Sequence, residues 1–191
     1  MLILATSCFL HVPKTGGTWV KAAISAARIP FEEFTVDGDV HADLRYCPRP
    51  ERFKFAFVRH PVEFYRSYWQ YKMGMGWDPQ NPLDVDCAAA DFHAFVRNVV
   101  VRYPGMCTQL FEDYVGPPGN EIEFIGRYER LQDDLIVALR LAGERVDEAT
   151  IRSCPPQNIS PRFLFPAEYS RELEDAVRQS EARAIARFGF D

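Results

Sequence analysis

The sequence predicts an α/β domain with a parallel sheet flanked by helices. Three observations predict it. Short apolar, β-prone runs at residues 2–12, 53–58 and 122–126 alternate with longer segments of helical period. The first run ends at Pro13, Gly16 and Gly17 and enters a helix directly, as the strand–turn–helix of a parallel unit does. A chain of 191 residues, 47% apolar and 26% charged, suits one domain and is short for two.

Taken in order, residues 2–12 read as one buried strand. From Thr18, the apolar and small residues Trp19, Val20, Ala22, Ala23, Ile24, Ala26 and Ala27 suit a packed helix. Residues 28–34 read as a short second strand after a crossover. The run FKFAFV, residues 53–58, is a third strand, and Pro61 beyond it is placed as the first residue of a helix. Residues 122–126 form the fourth strand, followed by a helix over about 129–142. Apolar or small positions at 173, 176, 177, 180, 184, 185 and 188 draw one helical stripe over 168–188. Residues 73–86 and 103–120 are rich in Gly and Pro and read as long loops. The stretch 73–120 is therefore expected to act as a lid or binding wall.

Charge and cysteine usage exclude several classes. A net charge of −5 argues against a general nucleic-acid binder, whose affinity comes from Lys and Arg on phosphates. An anionic ligand would need a locally basic pocket. Residues 45–72 carry seven basic against two acidic side chains, and residues 112–148 carry ten acidic against four basic. The charge is thus segregated along the chain. Five cysteines without a CxxC pair read as reduced thiols rather than a disulfide framework or a zinc knuckle. The apolar start lacks a basic leader region and a small-residue cleavage site, and no apolar run approaches the roughly 18 residues needed to span a bilayer. The expectation is a soluble, cytoplasmic protein with no membrane or nucleic-acid partner.

The informative stretch is His11-Val-Pro-Lys-Thr-Gly-Gly-Thr-Trp19. A buried strand, a Gly-rich turn and a helix make a phosphate cradle: glycines admit close backbone approach, and the helix start offers N–H groups and a positive dipole end. Lys14 would add a mobile cation, Gly16 and Gly17 backbone amides, and Thr15 and Thr18 hydroxyl donors. The nucleoside-triphosphate motif GxxxxGK[ST] does not fit, because Lys14 precedes both glycines. Nor does a strand end in Asp to hold magnesium, since FKFAFV runs into Arg59 and IEFIG into Arg127. Arg59 offers a planar fork for a phosphate dianion, and Ser67 a hydroxyl on the helix that Pro61 opens. Alone, each could equally be a strand-end arginine and an ordinary helix serine.

These residues resemble a family. Pro13-Lys-Thr-Gly-Gly-Thr-Trp19 is similar to the 5′-phosphosulfate loop of sulfotransferases that use 3′-phosphoadenosine 5′-phosphosulfate (PAPS). Phe57-Val-Arg-His-Pro-Val-Glu-Phe-Tyr-Arg-Ser-Tyr68 resembles their 3′-phosphate motif, with Arg59 and Ser67 at the motif's spacing. Gly126-Arg-Tyr-Glu-Arg-Leu-Gln-Asp-Asp134 resembles the family's Tyr-Glu-x-Leu segment, and the terminal Arg187-Phe-Gly-Phe-Asp191 resembles the ending of the bacterial and carbohydrate-type branch. The motifs stand in family order across nearly the whole chain. The resemblance implies a single P-loop NTPase-like domain over residues 1–191. It further implies in-line transfer of a sulfuryl group from PAPS to a hydroxyl or amine of a small-molecule or carbohydrate acceptor. The product would be adenosine 3′,5′-bisphosphate, and no metal is expected. Lys14 would stabilise the leaving phosphate, and Tyr128 would lie near the adenine or simply be a core tyrosine. Trp19 is core packing and in addition a candidate adenine wall.

The acceptor must lose a proton, and His suits that near neutral pH. His11 reads as buried, His60 as a helix cap, and His93 as structural. His41, in Val40-His-Ala-Asp-Leu-Arg45, resembles a His-x-x-Leu-Arg segment of the family and is the candidate base, against a surface or capping histidine. The late Arg-Lys-Gly motif of the small-molecule branch is missing. Asn158 and Ser160 are the candidates to replace it, although Asn158-Ile-Ser160 is also a formal glycosylation sequon. Trp77, Phe92, Phe95 and Phe111 would line the acceptor wall or equally belong to the core. The alternatives are a non-catalytic nucleotide-binding protein of the same fold and a P-loop-like phosphotransferase.

Overall fold

The computed structural model describes residues 1–157 and 164–191. Its elements are β1 (Leu2–Leu4), β2 (Ser7–Leu10), α1 (Gly17–Ala26), β3 (Phe31–Glu33), β4 (Phe53–Val58), α2 (Pro61–Met75), α3 (Pro82–Cys87) and α4 (Phe92–Arg102). They continue as α5 (Met106–Val115), β5 (Phe124–Arg127), α6 (Leu131–Leu141), α7 (Glu148–Ser153), α8 (Arg171–Ser180) and α9 (Ala182–Phe188). The chain is α/β, with helices around a five-stranded sheet. It forms two compact units: residues 1–59 with the described residues of 111–158, and residues 60–110 with the described residues of 159–191. Among the described residues no helix is long and apolar enough to cross a membrane.

The first unit holds the sheet, in the order β3-β1-β2-β4-β5. It is mixed, not wholly parallel. β2, β4 and β5 run parallel, with Cys8 beside Lys54 and Phe57 beside Gly126, while β1 pairs antiparallel with both β2 and β3. The expected single strand over 2–12 is a hairpin that reverses at Ala5 and Thr6. A distant contact makes the difference: Glu144 Oε1 accepts from the Thr6 N–H at 2.8 Å and the Ser7 hydroxyl at 2.9 Å. The expected second strand shrinks to β3, an edge strand. Phe9, Phe55 and Phe57 of the sheet form one core with Trp19, Val20 and Ile24 of α1 and Leu135, Ile136 and Leu139 of α6. Burying each such side chain contributes about 1.5–3 kcal/mol.

The second unit is helical. The expected loops at 73–86 and 103–120 are largely α3, in this unit, and α5, of which residues 106–110 belong to this unit and 111–115, Phe111 included, to the first. Pro82 opens α3 behind an Asn81 side chain that accepts from the Leu83 N–H, so Gly and Pro here punctuate helices rather than replace them. Phe92, Phe95 and Phe111, expected in a binding wall, are all at most 4% exposed; Trp77 packs its ring 5.7 Å from Phe95. The expected helix over 168–188 is two, α8 and α9, separated at Glu181. That carboxylate is fully buried and takes four hydrogen bonds. Oε1 accepts from the Tyr65 hydroxyl (2.8 Å) and Cys107 N–H (3.0 Å), and Oε2 from the Thr108 N–H (3.0 Å) and hydroxyl (2.9 Å). It supplies the first turn of α5 with the acceptors a helix start lacks. Replacing Glu181 by Gln exchanges one acceptor oxygen for a donor and is expected to cost about 2–3 kcal/mol in urea unfolding.

Candidate functional site

Because β2, β4 and β5 are parallel neighbours, their carboxyl ends lie along one edge of the sheet, where open α/β sheets hold ligands. Each end carries one of the sequence motifs. After β2, Lys14 stands at φ 61 and Gly16 at φ 89, and Thr15 between them does not have positive φ. Such alternation turns successive N–H groups toward a common point. Positive φ costs a lysine about 1–2 kcal/mol. Gly16 is the N-cap of α1 with no side-chain cap, and the first turn holds no acidic residue. The positive end of the helix dipole therefore meets no carboxylate from its own first turn. Thr18 is exposed in that turn, whereas Thr15 is fully buried. The Thr15 hydroxyl donates to the Val12 carbonyl at 2.9 Å, so it staples the turn instead of serving as a donor to a ligand.

After β4 comes Arg59, 6% exposed. Its Nη1 donates to the Lys14 carbonyl at 3.1 Å, and its guanidinium carbon lies 4.1 Å from the centre of the Tyr128 ring. Tyr128 opens a 3-10 turn (Tyr128–Arg130) directly after β5. Its ring edge faces Gly16: a Cβ there would lie 3.2 Å from Tyr128 Cδ2 and Cε2 and 2.6 Å from Leu131 Cδ2. Loop, strand-end arginine and tyrosine thus touch one another. The sequence proposed these residues singly; the mutual contact is what the tertiary structure adds.

A second cluster adjoins the loop. His41 Nδ1 lies 2.8 Å from the His11 carbonyl. A carbonyl can only accept, so the neutral ring carries its proton on Nδ1 and its lone pair on Nε2. The His41 N–H donates to Asp39 Oδ1 at 2.8 Å, and the Tyr114 hydroxyl donates to the His41 carbonyl. The two imidazoles stand 4.3 Å apart. The His11 ring also lies against Gly17, where a Cβ would come within 1.9 Å of its Cδ2. Burial, then the neighbouring His41, lowers the His11 pKa from 6.5 to about 3, so this ring is neutral at ordinary pH.

Other expectations fall elsewhere. Trp19 is 6% exposed, belongs to the core as expected and donates its indole N–H to the Cys154 carbonyl at 3.3 Å. Ser67 is buried on α2 in the second unit. Asn158 and Ser160 lie outside the described residues. In the second unit, His60 caps α2 as expected, its Nδ1 accepting from the Val62 N–H at 3.1 Å, and His93 Nε2 meets the Glu168 carbonyl at 2.8 Å. Most of the basic side chains of residues 45–72 have partners of their own. Arg45 pairs with Asp43, Lys54 with Glu123, Arg66 with Glu63 and Lys72 with Asp84, while Arg52 donates to the Leu4 carbonyl. Of that run, Arg59 is the residue at the loop. Tyr114 and the His11 carbonyl were not foreseen, because long-range contacts with a main-chain carbonyl leave no local motif.

Comparison of the chain with family models, curated proteins and solved structures finds no match in any of the three.

Two outcomes follow from this geometry. Gly17→Ala must displace the His11 ring, and thermal or urea unfolding is expected to show a loss of about 1–3 kcal/mol. Between pH 6.5 and about 3 the unfolded chain takes up a proton on His11 that the folded chain refuses, so folding stability falls as pH drops through this window. In His11→Gln that part of the slope is expected to vanish, as read from melting temperature against pH.

Proposed function

We propose that the protein is a sulfotransferase whose sulfuryl donor is PAPS and whose fold is of the sulfotransferase and P-loop NTPase kind. One observation carries the reading: Arg59 bridges the Lys14 carbonyl and the Tyr128 ring, joining the three motifs at the ends of adjacent parallel strands. The donor fits the residues present. An anionic phosphosulfate suits a helix start with no acidic first turn, and a nearly buried guanidinium suits a phosphate.

When bound, the donor supplies an electrophilic sulfur attached to a phosphate leaving group. The acceptor oxygen or nitrogen attacks sulfur in line, the bond from sulfur to the phosphate oxygen breaks, and the acceptor proton passes to a base. Lys14 and the amides of Gly16, Gly17 and Thr18 hold the charge that develops on the leaving phosphate. His41 takes the proton on Nε2, because its Nδ1 proton is held by His11. The acceptor is a small molecule or carbohydrate bearing a hydroxyl or amine.

Calorimetry tests the donor site. Adenosine 3′,5′-bisphosphate is expected to bind without magnesium, and Arg59→Ala to weaken it by about 10–100-fold, the worth of charge-assisted hydrogen bonds. Binding of magnesium–ATP with no binding of the bisphosphate overturns the reading. Lys14→Ala is expected to abolish transfer of labelled sulfate to a panel of hydroxyl and amine acceptors, with the fold intact by circular dichroism.

A further inference from the structure

We infer that Tyr114 is a positioning residue for the base: its hydroxyl fixes the main chain of His41 so that the imidazole stays on the His11 carbonyl with Nε2 available. The inference rests on the reading of His41 as proton acceptor. His41 lies in the connection between β3 and β4, whose regular structure is the Val36–Asp39 bridge and a 3-10 turn, Leu44–Tyr46. Connections of this length with so little secondary structure open most easily. A base carried there drifts unless something outside the connection holds it, and drift is costly because proton transfer needs hydrogen-bond reach.

Among the described residues three hydrogen bonds reach His41, and they do different work. The bond from its N–H to Asp39 spans two residues, so it shapes the turn but moves with it. The bond from Nδ1 to the His11 carbonyl sets the tautomer and the ring's rotation, provided that Cα is already in place. The bond from Tyr114 comes from 73 residues away, off a helix whose Phe111 and Val115 are fully buried. It ties the peptide carbonyl of His41 itself to packed structure. Tyr114 is 5% exposed, and a buried hydroxyl is costly unless bonded, so the site favours this bond over an open state. Burial, followed by the charges of Asp39, Asp43 and Asp113, raises the Tyr114 pKa, and the phenol keeps the proton it donates.

The test compares the wild type with Tyr114→Phe, which keeps the ring and removes the hydroxyl. Long-range proton–nitrogen NMR of His41 is expected to show one neutral tautomer, protonated on Nδ1, in the wild type and averaging between tautomers in the variant. Release of labelled sulfate from PAPS to water is expected to fall at least tenfold in kcat, with KM for PAPS and affinity for adenosine 3′,5′-bisphosphate within twofold. A Phe variant with wild-type turnover and a single tautomer overturns the inference. Should the variant not fold, averaged tautomers in the wild type alone overturn it. A wild-type protein that neither binds the bisphosphate nor releases sulfate instead sinks the sulfotransferase reading, and the tautomer measurement then still reports whether Tyr114 holds His41.

Discussion

A guanidinium that is 6% exposed must find its interactions inside the protein, and Arg59 finds them in the Lys14 carbonyl and the face of Tyr128. Much of the site's geometry depends on that requirement. The end of β4 is tied to the turn after β2 and to the turn after β5, so the three cannot shift independently. Gly16 has to be glycine on two counts: its φ of 89 excludes a side chain at low cost, and Tyr128 and Leu131 occupy the space a Cβ would need. A planar, permanently charged fork can accept a ring on one side and donate at its edge. A lysine would bring a point charge in place of that planar fork.

His11 is the second organising residue. Its carbonyl selects the proton position on His41 while its ring fills the space that Gly17 leaves empty. Because burial keeps that ring neutral, it brings no positive charge to the imidazole of His41 beside it. The helical unit has a corresponding buried group in Glu181, whose two oxygens collect donors from α2 and from the first turn of α5. Glu181 could not remain buried without the specific donors found around it.

Much of this was legible in the residues themselves. The Gly-Gly turn, the Pro at the start of α2, the β4 run and the placement of Lys14, Arg59 and Tyr128 at strand ends all follow from local backbone chemistry and periodicity. The misreadings share a cause. Residues 2–12 read as one strand because the run is largely apolar and β-prone, while the Thr6 and Ser7 donors at the reversal meet Glu144 far along the chain. Residues 45–72 read as a basic stretch because charge is counted along the chain, while the partners Glu123, Asp84 and the Leu4 carbonyl lie elsewhere in it. The aromatics of 73–114 looked like a wall because composition does not reveal which face of a helix is covered.

The α/β class and the Gly-rich turn after the first parallel strand were determined by the sequence, because φ preferences, helix starts and apolar period are set within a few residues. The tertiary structure alone decided that the sheet is mixed, that the chain packs as two units, and that Arg59 closes on Tyr128. It also decided that Tyr114 and His11 hold His41 and that Trp19 belongs to the core. These are choices of partner between residues tens of positions apart. They depend on which surfaces folding brings within hydrogen-bonding or van der Waals reach, and no local pattern encodes that distance.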